Sequence, residues 1–159
     1  MQYITTAHEA ELNAALVMKS WGYTDAVATT GGADGGIDVR SSRALAQVKW
    51  RGGAAGRPEM QQLYGSRAAD TSKALFFFAA SAYSDQAVQY ADQVGIGLFI
   101  YDPVGAVTAV NKVAQQFVVA APKGTVAKAK MPLDDVLLFG AGALALIGAV
   151  ILFVLLAGK

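Results

Sequence analysis

Apolar residues follow two different spacings along the first part of the chain. Residues 8–20 repeat apolar side chains at intervals of three and four, which is the period of one helix face. Residues 74–80 and 97–101 are almost entirely apolar, as is typical of strands buried on both faces of a sheet. This alternation of helices with buried strands predicts an α/β domain.

Shorter segments between these elements predict a hairpin. A β-leaning stretch covers 23–30, and two short strands are expected at 37–40 and 44–50. Ser41 and Ser42 lie between the two strands as a tight turn. We therefore expect these strands to pair antiparallel.

The second half of the domain predicts further helices. Pro58 favours the first turn of a helix over 58–69. Ser84 is a suitable cap for a helix that ends near Val94. A last helix is expected at 109–118. Without that last helix, the predicted order is α-β-β-β-α-β-α-β, a mixed sheet flanked by helices.

A long uncharged segment follows the domain. Only 16% of all residues are charged, against roughly 25% in soluble domains, and residues 136–157 carry no charge at all. As a helix, this segment would span about 33 Å, enough for a bilayer core of roughly 30 Å. We predict a domain at 1–120, a polar and basic linker at 121–135 and a single transmembrane helix at 136–157. A buried core helix is the alternative for the last segment.

The residues that flank this span predict its orientation. Three lysines precede it and one follows it, namely Lys123, Lys128 and Lys130 before the span and Lys159 after it. The first residues show neither a cationic start nor an apolar run, so we expect no signal peptide. The chain is therefore predicted to be a single-pass protein of the cell (inner) membrane with its amino-terminal domain in the cytoplasm.

Two contacts of this segment are expected. The linker lysines are suited to an anionic lipid surface. Small side chains recur every fourth position in the span, a pattern that favours close helix pairing, at Ala141, Ala145 and Ala149. The lipid bilayer and a second copy of the chain are thus predicted partners.

Three polar residues stand among apolar neighbours in the predicted hairpin. Asp38 lies in the first strand, and Gln47 and Lys49 lie in the second. Gln47 and Lys49 project from the same face because side chains alternate along a strand. Pairing of the two strands brings Asp38 near Gln47. Taken singly, an Asp after glycines is typical of a turn, and a Q-x-K strand is typical of a solvated sheet face.

Together these groups suit a hard divalent cation. Mg²⁺ prefers oxygen ligands, so Asp38, the Gln47 side-chain oxygen and the backbone carbonyl of Val48 are candidate metal ligands. Lys49 is placed to orient a water molecule and to offset the charge of a phosphate. Glu11 on the first helix is a further candidate carboxylate. The chain has no cysteine, which excludes zinc–thiolate sites and thiol catalysis.

These residues resemble a known family. Glu11, the run Gly35-Gly36-Ile37-Asp38-Val39 and the run Gln47-Val48-Lys49 resemble the motifs of the PD-(D/E)xK nuclease superfamily, and look most like the catalytic domain of Mrr-type restriction endonucleases. The resemblance covers roughly residues 7–110. It implies a restriction-endonuclease-like αβββαβ core, here followed by the predicted transmembrane helix.

The resemblance also implies an activity and a role for each residue. It implies hydrolysis of DNA phosphodiester bonds with Mg²⁺ or Mn²⁺, with Asp38 as metal ligand and Lys49 as catalytic lysine. Glu11 is then the helix carboxylate, and its spacing fits better than that of Glu9. Gln47 occupies a position usually held by Glu or Asp, which removes one negative charge from the metal site. Ile37 replaces the proline of the superfamily motif, and no separate DNA-reading domain is recognisable.

Charge supports nucleic-acid binding only locally. Residues 1–120 have nine Lys and Arg against ten Asp and Glu, a net charge of −1. Between residues 38 and 67 the balance is six basic against two acidic residues, a net charge of +4. A cationic rim of this kind favours contact with phosphates, although arginines spread over several faces are the alternative. The predicted DNA-binding residues are Arg40, Arg43, Arg51, Arg57 and Gln61.

Other functions remain open at this level. A catalytically inactive nuclease-like module that binds DNA or a protein at the membrane has the same overall sequence pattern. Gln61 and Gln62 are candidates for contacts with phosphate or base edges, but the pattern favours ordinary surface amides of the helix. A membrane protein whose domain only regulates a partner is a third possibility. The presence of all four residues Glu11, Asp38, Gln47 and Lys49 favours the nuclease.

Overall fold

A computed structural model describes residues 3–29, 36–50 and 52–120. Within them the chain forms four helices and six strands. In chain order these are α1 Ala7–Ser20, β1 Val27–Ala28, β2 Val39–Arg40, β3 Ala44–Lys49, α2 Arg57–Ser66, β4 Ala74–Ala79, α3 Asp85–Val94, β5 Ile96–Tyr101, β6 Val107–Ala109 and α4 Lys112–Ala120.

The six strands form one mixed sheet whose spatial order equals their order along the chain. β1, β2 and β3 pair antiparallel, β3, β4 and β5 pair parallel, and β6 pairs antiparallel with β5. Helices α2 and α3 connect the parallel strands. The carboxyl ends of β3, β4 and β5 therefore lie at one edge of the sheet, where α2 and α3 begin.

Apolar side chains fill the core on both faces of this sheet. Phe76 and Phe78 of β4 pack with residues of α1 and α4, whereas Leu75 and Phe77 pack with residues of α2 and α3. This division follows from the alternation of side chains along a strand. The prediction that this apolar run is a buried strand is confirmed, and so is the α/β class with a mixed sheet flanked by helices.

Several predicted boundaries are wrong. The β-leaning stretch at 23–30 contains only the two residues of β1, and the predicted strand at 37–40 is regular only at Val39 and Arg40. The helix predicted over 58–69 ends at Ser66, and Ala68 follows with a φ of 51°. A positive φ is incompatible with a continuing right-handed helix, so the chain turns there.

The prediction for 109–118 is wrong in its first part. Val107–Ala109 forms β6, which pairs antiparallel with β5, and the helix begins only at Lys112. Asn111 lies between them, and its side-chain oxygen accepts a hydrogen bond from the backbone N–H of Ala114. A three-residue edge strand carries too little pattern to be recognised without its partner.

The predicted linker at 121–135 and the predicted span at 136–157 lie outside the described residues. None of the helices in the described ranges is long and apolar enough to cross a membrane.

Candidate active site

The β2–β3 hairpin brings Asp38 to Gln47, as predicted. Val39 pairs with Ala46, which places the preceding residue Asp38 beside Gln47. The backbone N–H of Asp38 donates to the carbonyl of Ala46 at 2.9 Å. The Asp38 Oδ2 accepts a hydrogen bond from the backbone N–H of Val48 at 2.7 Å. The carboxylate is therefore fixed against the strand that carries Gln47 and Lys49.

Asp38 is in an environment that disfavours its charge. Burial raises the pKa of its carboxyl above the usual value, and the negative charge of Glu11 acts in the same direction. The hydrogen bond from Val48 opposes this effect without cancelling it. A cation bound beside Asp38 would stabilise the carboxylate.

Helix α1 presents Glu11 rather than Glu9 to the site. The Glu11 side chain is 21% exposed, and its Oε2 lies 3.2 Å from His8 Nδ1. Glu9 forms the capping box of α1, where its carboxylate accepts hydrogen bonds from the backbone N–H groups of Thr5 and Thr6. The structure thus brings Glu11 close enough to influence Asp38 and assigns Glu9 to the start of the helix.

The Gln47 amide lies near Gly36, and its oxygen is buried. Its Oε1 is buried and has no hydrogen-bond partner among the described residues. Its Nε2 lies near Gly36, whose φ is +80°; a Cβ on Gly36 would lie 3.1 Å from this nitrogen and 2.9 Å from Gln62 Nε2. The positive φ favours glycine at this position, and the ends of both amide side chains lie close to it. A buried oxygen without a partner is costly, and a bound cation or its water would satisfy it.

Lys49 makes an ion pair with a residue that the sequence analysis did not assign to the site. Its Nζ lies 2.9 Å from Glu59 Oε1 and 3.5 Å from the carbonyl of Ala54. The hydrogen bond from Lys49 is the main reason why the pKa of Glu59 is below its usual value. The Glu59 Oε2 accepts a hydrogen bond from the backbone N–H of Gly56 at 3.1 Å, at the start of α2.

The donor set of the site fits a hard cation that keeps several waters. No three imidazole or carboxylate side chains cluster as a metal site within the part of the chain that the structure describes. Two carboxylates, those of Asp38 and Glu11, and the free Gln47 oxygen are the available side-chain donors, and the carbonyl of Val48 remains a predicted ligand. Mg²⁺ is usually held through one or two carboxylates and keeps several of its waters.

The predicted DNA-binding residues that the structure describes lie on β2, on α2 and directly before β3. Arg40 lies in β2, two residues from Asp38, and Arg57 opens α2 with its guanidinium over the Tyr90 ring. Arg43 lies at the other end of β3, about 20 Å from Lys49 along an extended strand, and donates a hydrogen bond to the carbonyl of Gly22.

Helix α2 carries two of the candidate glutamines, and they differ in their surroundings. Gln61 is exposed on α2, whereas Gln62 beside it contacts the Gly36 and Gln47 region. Arg51 lies outside the described residues.

Glu59 is the main residue that sequence reasoning missed, and a signal for it exists. A helix that follows a parallel strand begins at the carboxyl end of that strand. The first turn of α2 therefore returns to Lys49 after the glycine-rich loop, and Glu59 is the acidic residue in that turn.

The fold and this site define an α/β nuclease-like domain with an acidic and amide centre at the edge of its sheet. The family model described as restriction endonuclease, Mrr_cat, matches residues 5–102, which is more than half of the chain. The chain therefore belongs to the Mrr-type restriction endonuclease family, and DNA is the substrate that this family implies. No curated protein and no solved structure matches the chain.

Proposed function

We propose that the domain hydrolyses DNA phosphodiester bonds in a reaction that depends on a divalent cation, and that Glu11, Asp38, Gln47 and Lys49 form its active site. The observation that carries the proposal is the buried oxygen of Gln47, which has no partner among the described residues and lies beside a carboxyl whose charge is disfavoured. Both features are what a cation site shows when its own residues supply the ligands.

Each residue has a separate role in this proposal. Asp38 and the Gln47 oxygen hold Mg²⁺ or Mn²⁺, and Glu11 binds the cation or one of its waters. When bound, the cation supplies a polarised water and stabilises charge on the phosphate. Lys49 places an ammonium beside the same phosphate. Because Gln47 is neutral, the site carries one charge fewer than a site with three carboxylates, so we expect a weaker affinity for the metal.

A nuclease assay with the full-length chain in mild detergent tests the proposal. Wild type should cleave plasmid and linear DNA with Mg²⁺ or Mn²⁺, and chelation should abolish cleavage. Asp38→Ala should lose both cleavage and metal binding, and Lys49→Ala should lose cleavage but keep the metal. Asp92→Ala is a matched control, because Asp92 is an exposed acid on α3 and should leave both unchanged.

The outcome also distinguishes the enzyme from the alternative function. A wild type that binds DNA but does not cut it with any divalent metal, and that behaves like Lys49→Ala, would contradict the enzyme proposal. The inactive DNA- or protein-binding module would then be the better account. Loss of folding would lower both cleavage and metal binding in any variant, so the circular dichroism spectrum of each variant is measured alongside.

We also propose that residues 136–157 anchor the chain in the membrane as a single helix, with the domain on the cytoplasmic side. The support is the uncharged run of residues and the three lysines that precede it against one that follows. The chain should remain in the membrane fraction after carbonate extraction at high pH. Protease added outside intact cells should leave the domain uncut. Release by carbonate or cutting from outside would overturn the anchor or its orientation.

Pairing of two such helices is part of the same proposal. Ala141, Ala145 and Ala149 recur at the spacing that permits close approach of two helices in lipid. Cysteines introduced singly along the span should crosslink best at these three positions. Crosslinking without this periodicity would contradict the pairing.

A further inference from the structure

Glu59 is held in place from two sides. Its Oε2 accepts a hydrogen bond from the backbone N–H of Gly56, which fixes the carboxylate in the first turn of α2. Its Oε1 lies 2.9 Å from Lys49 Nζ. The side chains of Lys49 and Glu59 are 25% and 32% exposed, so the pair is partly shielded from water. The helix start thus presents an ordered negative charge to the lysine of the candidate active site.

The lysine side chain depends on this contact for its orientation. A lysine side chain has four rotatable bonds and ends in a compact ammonium charge. It adopts many rotamers unless that ammonium is bound. Here the ammonium contacts Glu59 and lies 3.5 Å from the carbonyl of Ala54. An ammonium has three N–H donors. Two are thus directed at partners among the described residues, where the third has none and is available for a substrate oxygen.

We propose that Glu59 is the positioning residue of Lys49 in the proposed nuclease reaction: it holds the ammonium in place and directs it toward the phosphate. Lys49 then acts as a positive charge in a fixed position, because its ammonium is held by the Glu59 carboxylate. This inference rests on the proposed function, since it specifies how one residue of that same site works.

The proposal predicts a specific kinetic change. Glu59→Gln keeps an oxygen for the N–H of Gly56 but removes the negative charge that faces Lys49. We expect kcat to fall by about 10- to 100-fold, as when a residue that orients a functional group is removed, with the KM for DNA changed by less than about twofold. A general loss of structure would instead lower the melting temperature.

Glu9→Gln is the matched control for the helix cap. Glu9 has the same capping position in α1 that Glu59 has in α2, but its carboxylate contacts Thr5 and Thr6 and none of the described lysines. Both variants should lose a similar small amount of thermal stability, and only Glu59→Gln should lose kcat. An unchanged kcat in Glu59→Gln, or an equal loss in both variants, would overturn the positioning role.

A measurement without DNA separates the ion pair from the activity. Carbon-13 NMR titration of the Glu59 carboxyl, with and without Lys49→Met, follows the pKa of Glu59 directly. The pKa should rise in Lys49→Met, because the hydrogen bond from Lys49 is the main cause of its lowering. An unchanged pKa would show that the pair is absent and would overturn the proposal. If wild type cuts no DNA, the proposed function itself fails; if wild type cuts and Glu59→Gln is equally fast, only the positioning role fails.

Discussion

At the scale of single residues, the site combines a carboxyl whose charge is disfavoured with an amide oxygen that lacks a partner among the described residues. Asp38 is disfavoured as an anion by burial and by Glu11, and Gln47 Oε1 is buried. Neither feature stabilises the folded domain by itself. Both become favourable when a cation is bound, so function at this site opposes stability in the metal-free protein.

The first prediction concerns Asp38→Asn. The pKa of Asp38 is higher in the folded domain than in the unfolded chain, so ionisation of Asp38 lowers the free energy of unfolding at neutral pH. This loss of stability diminishes as the pH falls through the folded pKa. At pH 7 without metal, Asp38→Asn should therefore melt at the same or a higher temperature than wild type, because asparagine can still accept the hydrogen bond from Val48. The difference in melting temperature should vanish below about pH 4, near the pKa of an aspartate in the unfolded chain.

Added Mg²⁺ should reverse this order. At ten times its Kd, a ligand that binds only the folded state stabilises by about 1.4 kcal/mol. For a domain of this size that is a rise of about 4–8 °C in melting temperature. Differential scanning fluorimetry should show the rise in wild type and not in Asp38→Asn. An equal rise in both proteins would place the cation elsewhere.

A second prediction concerns Gln47→Glu. A carboxylate at this position restores the charge that glutamine lacks, so Mn²⁺ affinity measured by calorimetry should increase by about tenfold, or ~1.4 kcal/mol. Without metal, the same change places a third acid near Asp38 and Glu11 and should lower the melting temperature. Cleavage should persist. Weaker Mn²⁺ binding in Gln47→Glu would contradict the ligand role of Gln47.

At the scale of elements, one buried side chain joins β5 to α4. Asn111 is 3% exposed. Its Oδ1 accepts from the backbone N–H groups of Leu98 and Ala114, and its Nδ2 donates to the carbonyl of Ile96. Asn111 therefore caps α4 and contacts β5 at the same time, which places the α4 start beside the sheet.

The third prediction tests this junction. Asn111→Ala removes three hydrogen bonds and leaves buried backbone groups without partners, so we expect a loss of about 2–3 kcal/mol in the free energy of unfolding by urea. Ser84→Ala is the control. The Ser84 hydroxyl caps α3 by accepting one hydrogen bond from the backbone N–H of Ala87, so its removal should lower the free energy of unfolding by only about 1 kcal/mol. Equal losses would mean that Asn111 acts as a cap alone.

At the scale of the whole molecule, the described domain has a core on both faces of its sheet. The two clusters of buried residues are formed by α1 and α4 on one face and by α2 and α3 on the other. A domain with this many buried apolar residues has the core expected of an independently folding unit.

The fourth prediction follows from this core. A chain that ends after Ala120 should be monomeric in solution without detergent and should unfold in one cooperative transition. Its urea midpoint should match that of the domain in the full-length chain in detergent. Aggregation without a cooperative transition would show that the domain needs residues beyond 120 for its core.

The local pattern of the sequence determined the class of the fold and most of the candidate site. Apolar runs of strand length predicted the buried strands, and the short turn at Ser41 and Ser42 predicted the hairpin. That hairpin brings Asp38 to Gln47 because pairing across a tight turn leaves little freedom of register. Alternation along β3 placed Gln47 and Lys49 on one face. Each of these features is set by residues that lie close together in the sequence, so the local order of apolar and polar residues is enough to predict it.

The tertiary structure alone decided which distant groups meet. Glu59 contacts Lys49 because α2 begins beside the end of β3, and the amides of Gln47 and Gln62 both lie close to Gly36. β6 exists because β5 offers it a partner, and Arg43 lies far from Lys49 because β3 is extended between them. Charge counting along the chain placed Arg43 and Lys49 in one cationic rim, because distance along a sequence does not measure distance across a folded sheet.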